Sequence, residues 1–238
     1  NWISARRQKT LPYEESLRLA PESWRKWVRG SQTLANCRRS VAKTMTVATQ
    51  IQRPPVGTQE ASVLNEVYDF YSTSMDRKKR FEGLAERIAA EVIGGETGTY
   101  RMGWITRASG DGGSDFVGRL DVGSGFGKAR LVVLGQAKCE KLKSPTGGLH
   151  IARLVARLKR GWVGVYVTTS YFSEAVQREV IQDAFPVVLI HGKRLATEII
   201  RLVHEQGLPD VRTFLEEIDA LYEDRIQIQE PSDILLAP

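Results

Sequence analysis

Residues 129–139, ARLVVLGQAKC, form a nearly continuous apolar run that ends in a carboxamide and an ammonium. An apolar run of this length, bounded by a glycine turn, reads as a strand buried on both faces. Gln136 and Lys138 stand at i and i+2, so on a strand they point to one face. Upstream, the glycine turn GDGG (110–113) leads into Ser114 and Asp115, which open a second strand, SDFVGRLDV. The two strands can be neighbours across a hairpin, with Asp115, Gln136 and Lys138 side by side. Burying a carboxylate, a carboxamide and an ammonium together is costly without a task.

The segment between these strands, GSGFGK (123–128), invites comparison with a phosphate-binding loop. That motif requires glycine at 122 and Ser or Thr at 129, where this chain has Val122 and Ala129. A tight glycine-rich hairpin turn is the better reading. Outward from the hairpin, FEGLAERIAAEVIGG places Phe81, Leu84, Ala85, Ile88, Ala89, Val92 and Ile93 on one helical stripe, with Gly94-Gly95 as its stop. YRMGWITR, GWVGVYVTT and PVVLIHG read as further strands. GLHIARLVARLKR reads as an amphipathic helix, and SEAVQREVIQD as a helix capped by Ser173. KRLATEIIRLVHEQG and VRTFLEEIDALYED are closing helices. Strands alternating with helices predict an α/β layered fold with parallel strands in the middle of its sheet.

Before residue 77 the character differs. Residues 13–50 read as helical, QRPPVGTQ (52–59) as a Pro/Gly break, and residues 60–75 as a second helix, followed by the cationic run RKKR (77–80). The chain starts NWISARRQKT, without Met or an apolar signal core, as a piece of a longer protein would. No apolar run approaches the roughly 20 residues of a membrane span, and mean hydropathy is -0.28. Two cysteines, Cys37 and Cys139, make no disulfide framework and suit a reducing, intracellular setting. His150, His191 and His204 lack zinc-ligand spacing. The net charge of +6 and pI near 9.4 conceal an asymmetry. The positive excess lies in residues 1–204, whereas residues 205–238 hold only Arg212 and Arg225 against a series of acids. A polyanion partner suits that distribution.

A hard divalent cation such as Mg²⁺ seeks oxygen ligands, which Asp115 and the backbone carbonyl of Ala137 could supply. Lys138 would then position a water or offset developing charge. The alternative is a strand end reaching solvent, where Gln and Lys are common. Lys141, Lys143, Arg153 and Arg157 are candidate phosphate contacts, Arg153 and Arg157 by lying one turn apart on a helix opposite Leu154 and Leu158. Asp111 suits the turn by itself. Asp121 lies six residues past Asp115, about 20 Å along an extended strand.

In order, FEGLAERIAAEVIG (81–94), GDGGSDFVG (110–118), VVLGQAKCEK (132–141), GWVGVYVTTSYFSEAVQ (161–177) and FPVVLIHGKRLATEII (185–200) resemble the Mrr-like branch of the PD-(D/E)xK nuclease superfamily. PTGGLHIARLVARLKRGW (145–162) and the helical lead-in further resemble modification-dependent restriction enzymes of the MspJI type, above all AspBHI. The resemblance implies a restriction-endonuclease-like mixed sheet flanked by helices, with a helical N-terminal extension. It implies that Asp115 binds Mg²⁺, that the QxK lysine, Lys138, is catalytic, and that Glu82 stands near the site. Gln136 replaces the second acid of the broader superfamily, and Glu82 is the nearest carboxylate to take its place.

The resemblance implies that residues 1–76 are a helical extension from an upstream recognition domain and residues 77–238 the nuclease domain. The expected activity is Mg²⁺-dependent hydrolysis of DNA phosphodiesters, with Mn²⁺ as a substitute, directed by 5-methylcytosine in a type II restriction enzyme. An Mrr-like repair or recombination nuclease and a catalytically silent DNA-binding module of the same fold are the alternatives. Double-stranded, methylated DNA is the expected partner, in the cytoplasm of a prokaryote and away from membranes. One site cannot cut two antiparallel strands, so a homodimer or homotetramer is expected. The stripes around Trp24, Trp27, Tyr68, Phe70 and Tyr71, and around Phe214, Leu215, Ile218 and Leu221, could mediate assembly or pack on their own core.

Overall fold

The computed structural model describes residues 46–94, 98–106 and 114–236, together with Glu15, Arg18, Leu19, Ala20, Glu22, Arg25, Lys26 and Arg29. Most of the helical expectation for 13–50, and with it Trp24 and Trp27, lies outside the described residues, as does Asp111. The chain divides into two compact units, residues 1–46 with 177–184, and residues 47–176 with 185–238. In the first, Lys26 and Glu22 pair at 2.7 Å, one helical turn apart.

The second unit is built on a six-stranded mixed sheet. Its strands are β1 (Gly98–Thr106), β2 (Phe116–Val122), β3 (Ala129–Lys138), β5 (Trp162–Thr168), β7 (Val187–Ile190) and β8 (Ile226–Gln227), in the spatial order β7-β5-β3-β2-β1-β8. β1, β2 and β3 run antiparallel, β3, β5 and β7 parallel, and β8 lies parallel to β1. The parallel strands therefore form one side of the sheet rather than its middle. A separate ladder joins β4 (Pro145–Thr146) to β6 (Tyr171–Phe172). The turn between β2 and β3 is the glycine hairpin expected, with Gly123 and Gly125 at φ of 78° and 53°, a backbone that side chains with a Cβ rarely adopt.

The helices are α1 (Thr49–Gln52), α2 (Gln59–Tyr71), α3 (Met75–Ile93), α4 (Gly148–Val155), α5 (Glu174–Gln182), α6 (Gly192–Glu205) and α7 (Val211–Ala220). α3 follows the predicted stripe, burying Phe81, Leu84, Ala85, Ile88 and Ala89 against the sheet face that carries Val133, Val165 and Val167. It begins earlier than its apolar pattern, because Ser74 caps it by accepting from Arg77 N–H at 3.1 Å. The cationic run 77–80 is thus its first turns. Arg77 pairs with Asp219 of α7, and Arg80 with Asp219 at 3.6 Å and Glu223 at 2.6 Å. Part of the charge asymmetry is thereby neutralised within the chain.

Phe70, Tyr71, Phe214 and Leu215 are core residues, and Tyr68 and Ile218 pack against them. The described residues of these two stripes pack on their own core, and among them only Leu221 is exposed. The Pro/Gly break is anchored at its start. The buried Gln52 side chain donates to Val47 O at 2.8 Å and Phe172 O at 3.0 Å, and accepts from Phe172 N–H at 2.9 Å. Ser173 caps α5 by accepting from Val176 N–H. Among the described residues no helix is long and apolar enough to cross a membrane.

Asp121 belongs to this framework. It meets the Nε of the fully buried Arg119 at 2.8 Å and Lys128 Nζ at 3.1 Å. Removing one partner of a buried ion pair strands the other, at about 3–5 kcal/mol. Asp121→Ala should therefore lower unfolding stability by about that amount in a denaturant titration. A variant as stable as the parent would remove Asp121 from the framework.

Candidate active site

The site forms where β2 begins and β3 ends. The antiparallel register pairs Phe116 with Gly135 and Val117 with Leu134. Glycine is required at 135 because the Phe116 ring lies directly over it, and a Cβ there would sit 2.0 Å from the ring. It is thus a side chain of the same sheet, rather than a substrate, that approaches Gly135. Asp115 precedes Phe116 and is bound to both neighbouring strands. Its N–H donates to Gly135 O at 2.8 Å, and its carbonyl accepts from Thr106 N–H at 3.0 Å. Its Oδ2 then accepts from Ala137 N–H at 2.7 Å. Burial pushes the Asp115 carboxyl up to about 6, even though the Ala137 N–H and the Arg157 charge act to lower it.

Glu82 reaches this place from α3. Its Oε2 accepts from Tyr222 O–H at 3.0 Å. Burial, and next the charge of Asp115, push the Glu82 carboxyl up to about 8. The two carboxylates therefore share one electrostatic environment, with Ala137 between Gln136 and Lys138 on the adjoining strand. Such a pair, dehydrated and mutually repelling, fits a hard cation that would stabilise both charges. Among the described residues no group of three or more His, Cys, Asp or Glu side chains gathers around one point as for a metal ion. Backbone and solvent oxygens would have to complete any such shell.

Lys138 occupies the sheet face shared by Leu134 and Gln136. Its Nζ lies 2.9 Å from Glu140 Oε1 and 2.6 Å from His150 Nε2 on α4. Glu140 is in turn held by hydroxyls. Its Oε2 accepts from Thr146 O–H at 2.5 Å and Thr168 O–H at 3.3 Å, and its own N–H donates to Thr169 Oγ1 at 2.8 Å. Sequence reasoning missed Glu140, His150, Tyr222 and these threonines. A signal for two of them was present in VTTS at the end of β5, where paired hydroxyls close a buried strand.

The basic candidates separate. Lys141, Lys143 and Arg153 are exposed. α4 stops at Val155, so Arg157 lies in the following turn, its N–H bonded to Leu154 O at 3.0 Å, rather than one turn along the same helix as Arg153. There it acts electrostatically on Asp115 and lines a cavity of about 610 Å³ with Ser114, Leu134, Lys159, Trp162 and residues 228–231.

The chain is similar to known proteins. A family model described as a restriction endonuclease, Mrr catalytic domain, matches residues 76–199. The chain belongs to this restriction endonuclease family. It is similar to the solved structure of the MspJI restriction endonuclease in complex with a 27-mer oligonucleotide, at 39% identity and TM-score 0.75, over 99% of this chain and 52% of that one. It also shares its fold with the DNA modification-dependent restriction endonuclease AspBHI, at 23% identity and TM-score 0.60, over 85% of this chain and 49% of that one. Of the two, MspJI rather than AspBHI shares the greater identity. The chain spans about half the length of each. No curated protein matches it.

Proposed function

We propose that this chain is the cleavage portion of a modification-dependent type II restriction enzyme, a metal-dependent endonuclease that hydrolyses phosphodiesters of 5-methylcytosine-bearing double-stranded DNA. On this reading residues 77–238 are the nuclease domain, and residues 1–76 extend from an upstream recognition domain. The observation that carries it is the joining of Asp115 to Ala137 N–H beside Lys138, with Glu82 in the field of Asp115. Asp115, the Ala137 carbonyl and Glu82 would hold Mg²⁺, or Mn²⁺ in its place. That ion would supply Lewis-acid polarisation of the phosphoryl oxygen and a more acidic water.

The side chains do the rest. Asp115 is preset by its backbone hydrogen bond, so no rotamer has to be chosen when substrate arrives. Lys138 presents an ammonium to charge developing on the phosphoryl group. Gln136, on the same face, offers a carboxamide to the substrate without adding negative charge. Lys141, Lys143 and Arg153 would hold flanking phosphates, and Arg157 the phosphate nearest Asp115.

Lys138→Ala is expected to abolish cleavage, by several orders of magnitude, while DNA affinity persists. Asp115→Ala should be inactive and lose tight Mn²⁺ binding in calorimetry. Substantial cutting by the first variant, or unchanged Mn²⁺ affinity in the second, would sink the site assignment.

Arg153→Ala should weaken DNA binding equally for all sequences and reduce the salt slope by about one, because phosphate contacts carry no base information. Arg157→Ala should do the same and also slow cleavage, given its place beside Asp115. A salt slope unaltered in both would return these side chains to ordinary solvation.

One Asp115–Lys138 site attacks one scissile phosphate at a time, and the described residues hold one such site. A homodimer or homotetramer with two-fold symmetry answers that geometry. With the full-length protein, the rate of double-strand cleavage should rise faster than linearly with enzyme concentration. A strictly linear, monomeric enzyme that still cuts both strands would refute the assembly.

A further inference from the structure

The chain contains a feature that the nuclease reading leaves unused. Two residues beyond Lys138, the strand is closed by an acid whose every polar group is committed. Glu140 Oε1 faces Lys138 Nζ at 2.9 Å. Oε2 accepts from Thr146 and Thr168, whose own hydroxyls lie 3.1 Å apart. The Glu140 backbone is fixed at both ends by one side chain, with its N–H donating to Thr169 Oγ1 at 2.8 Å and its carbonyl accepting from the same hydroxyl at 2.7 Å. Thr146, Thr168 and Thr169 are all fully buried. Thr168 Oγ1 also accepts from Ser170 N–H at 3.0 Å. Two stretches, residues 140–146 and 168–170, converge on one carboxylate.

A solvated ion pair at a strand end has no use for such support. Lysine carries four rotatable bonds, and ordering it costs conformational entropy. A single carboxylate on a mobile side chain would give an exposed pair little net stability. Here the carboxylate is preset by two hydroxyls and a doubly pinned backbone, and His150 Nε2 meets the ammonium 2.6 Å away from a different element, α4. Lys138 is thus held from two directions.

We infer that Glu140 is a positioning residue, locked by Thr146 and Thr168, that fixes the Lys138 ammonium at the strand end in concert with His150. This rests on the nuclease reading for its consequence in rate, but the geometry it asserts can be examined without any cleavage.

Two readouts separate these. In the first, Glu140→Gln keeps the size and removes the charge. It is expected to lower kcat for DNA cleavage on the order of a hundredfold, as misplacement of a reacting group by about an ångström does. The KM and the melting temperature should stay near the parent values. Thr146→Val, which removes only a hydroxyl, should fall in the same direction, and Thr146→Ser should recover the lost rate. A purely structural clamp would instead lower the melting temperature in step with the rate. That outcome, or cleavage by Glu140→Gln at the parent rate, overturns the inference.

In the second, the full-length protein is treated with an acylating reagent for amines, and Lys138, Lys141 and Lys143 are followed by peptide mass spectrometry. Lys138 should react more slowly than the two exposed lysines, and several-fold faster in Glu140→Gln and His150→Ala. Equal Lys138 rates in parent and variants overturn the inference even in an active nuclease. A parent that never cuts DNA but protects Lys138 in this manner would cost the nuclease reading and leave the clamp standing.

Discussion

Everything at this site depends on one close contact, the Phe116 ring lying over Gly135. No other residue type at 135 leaves room for the ring. The contact fixes the register between β2 and β3, and the register brings the Asp115 carboxylate to Ala137 N–H. Strand side chains alternate, so a slip of one residue would turn Gln136 and Lys138 into the core occupied by Val133, Val165 and Val167. Hydrogen bonds to Thr106 and Gly135 then hold Asp115 on both sides. On the proposed reading, the carboxylate that would hold the metal is thereby placed at the head of a strand rather than on a free loop.

Around this contact the charges sort by sign. The basic start of α3 is taken up by Asp219 and Glu223, and Arg225 of the acidic segment pairs with the buried Glu86 at 2.6 Å. These pairs join α3 to the acidic segment around residues 219–225. Lys141, Lys143 and Arg153 stay exposed, on the stretch that follows β3 and on α4. Among the described residues, cations therefore remain accessible in the part of the chain that also supplies Lys138.

Much of this was legible in the sequence, and the reason differs by residue. The apolar run of β3, the α3 stripe and the Ser173 cap are local patterns whose period or chemistry specifies the element. Asp115, Gln136 and Lys138 could be placed together because a hairpin turn links their strands within a short span. The end of α4 could not be read, since leucine periodicity continues through Leu158 while the helix stops at Val155. The packing of Phe70, Phe214 and Leu215 on their own core was equally beyond reach, because a stripe shows that a face is apolar without saying what covers it. Tyr222 and His150 meet their partners only through tertiary contacts, 140 and 12 residues away in sequence.

The acid count at the site follows from these contacts. In the proposed nuclease, neutral Gln136 occupies the position where the broader superfamily places a second acid beside Asp115. Two carboxylates could compensate, Glu82 and Glu140, and the structure treats them differently. Glu140 is engaged at both oxygens, by Lys138 on one side and by two threonine hydroxyls on the other. Diverting it to a cation would release the lysine and leave the buried hydroxyls without their acceptor, at about 1–3 kcal/mol for each unsatisfied group. Glu82 has a single hydrogen bond at Oε2, from Tyr222, and its carboxyl is raised by burial and by Asp115. A positive charge near Asp115 lowers the cost of ionising Glu82, whereas it would compete with Lys138 for Glu140. On the proposed reading Glu82 complements Asp115, and Glu140 serves the lysine.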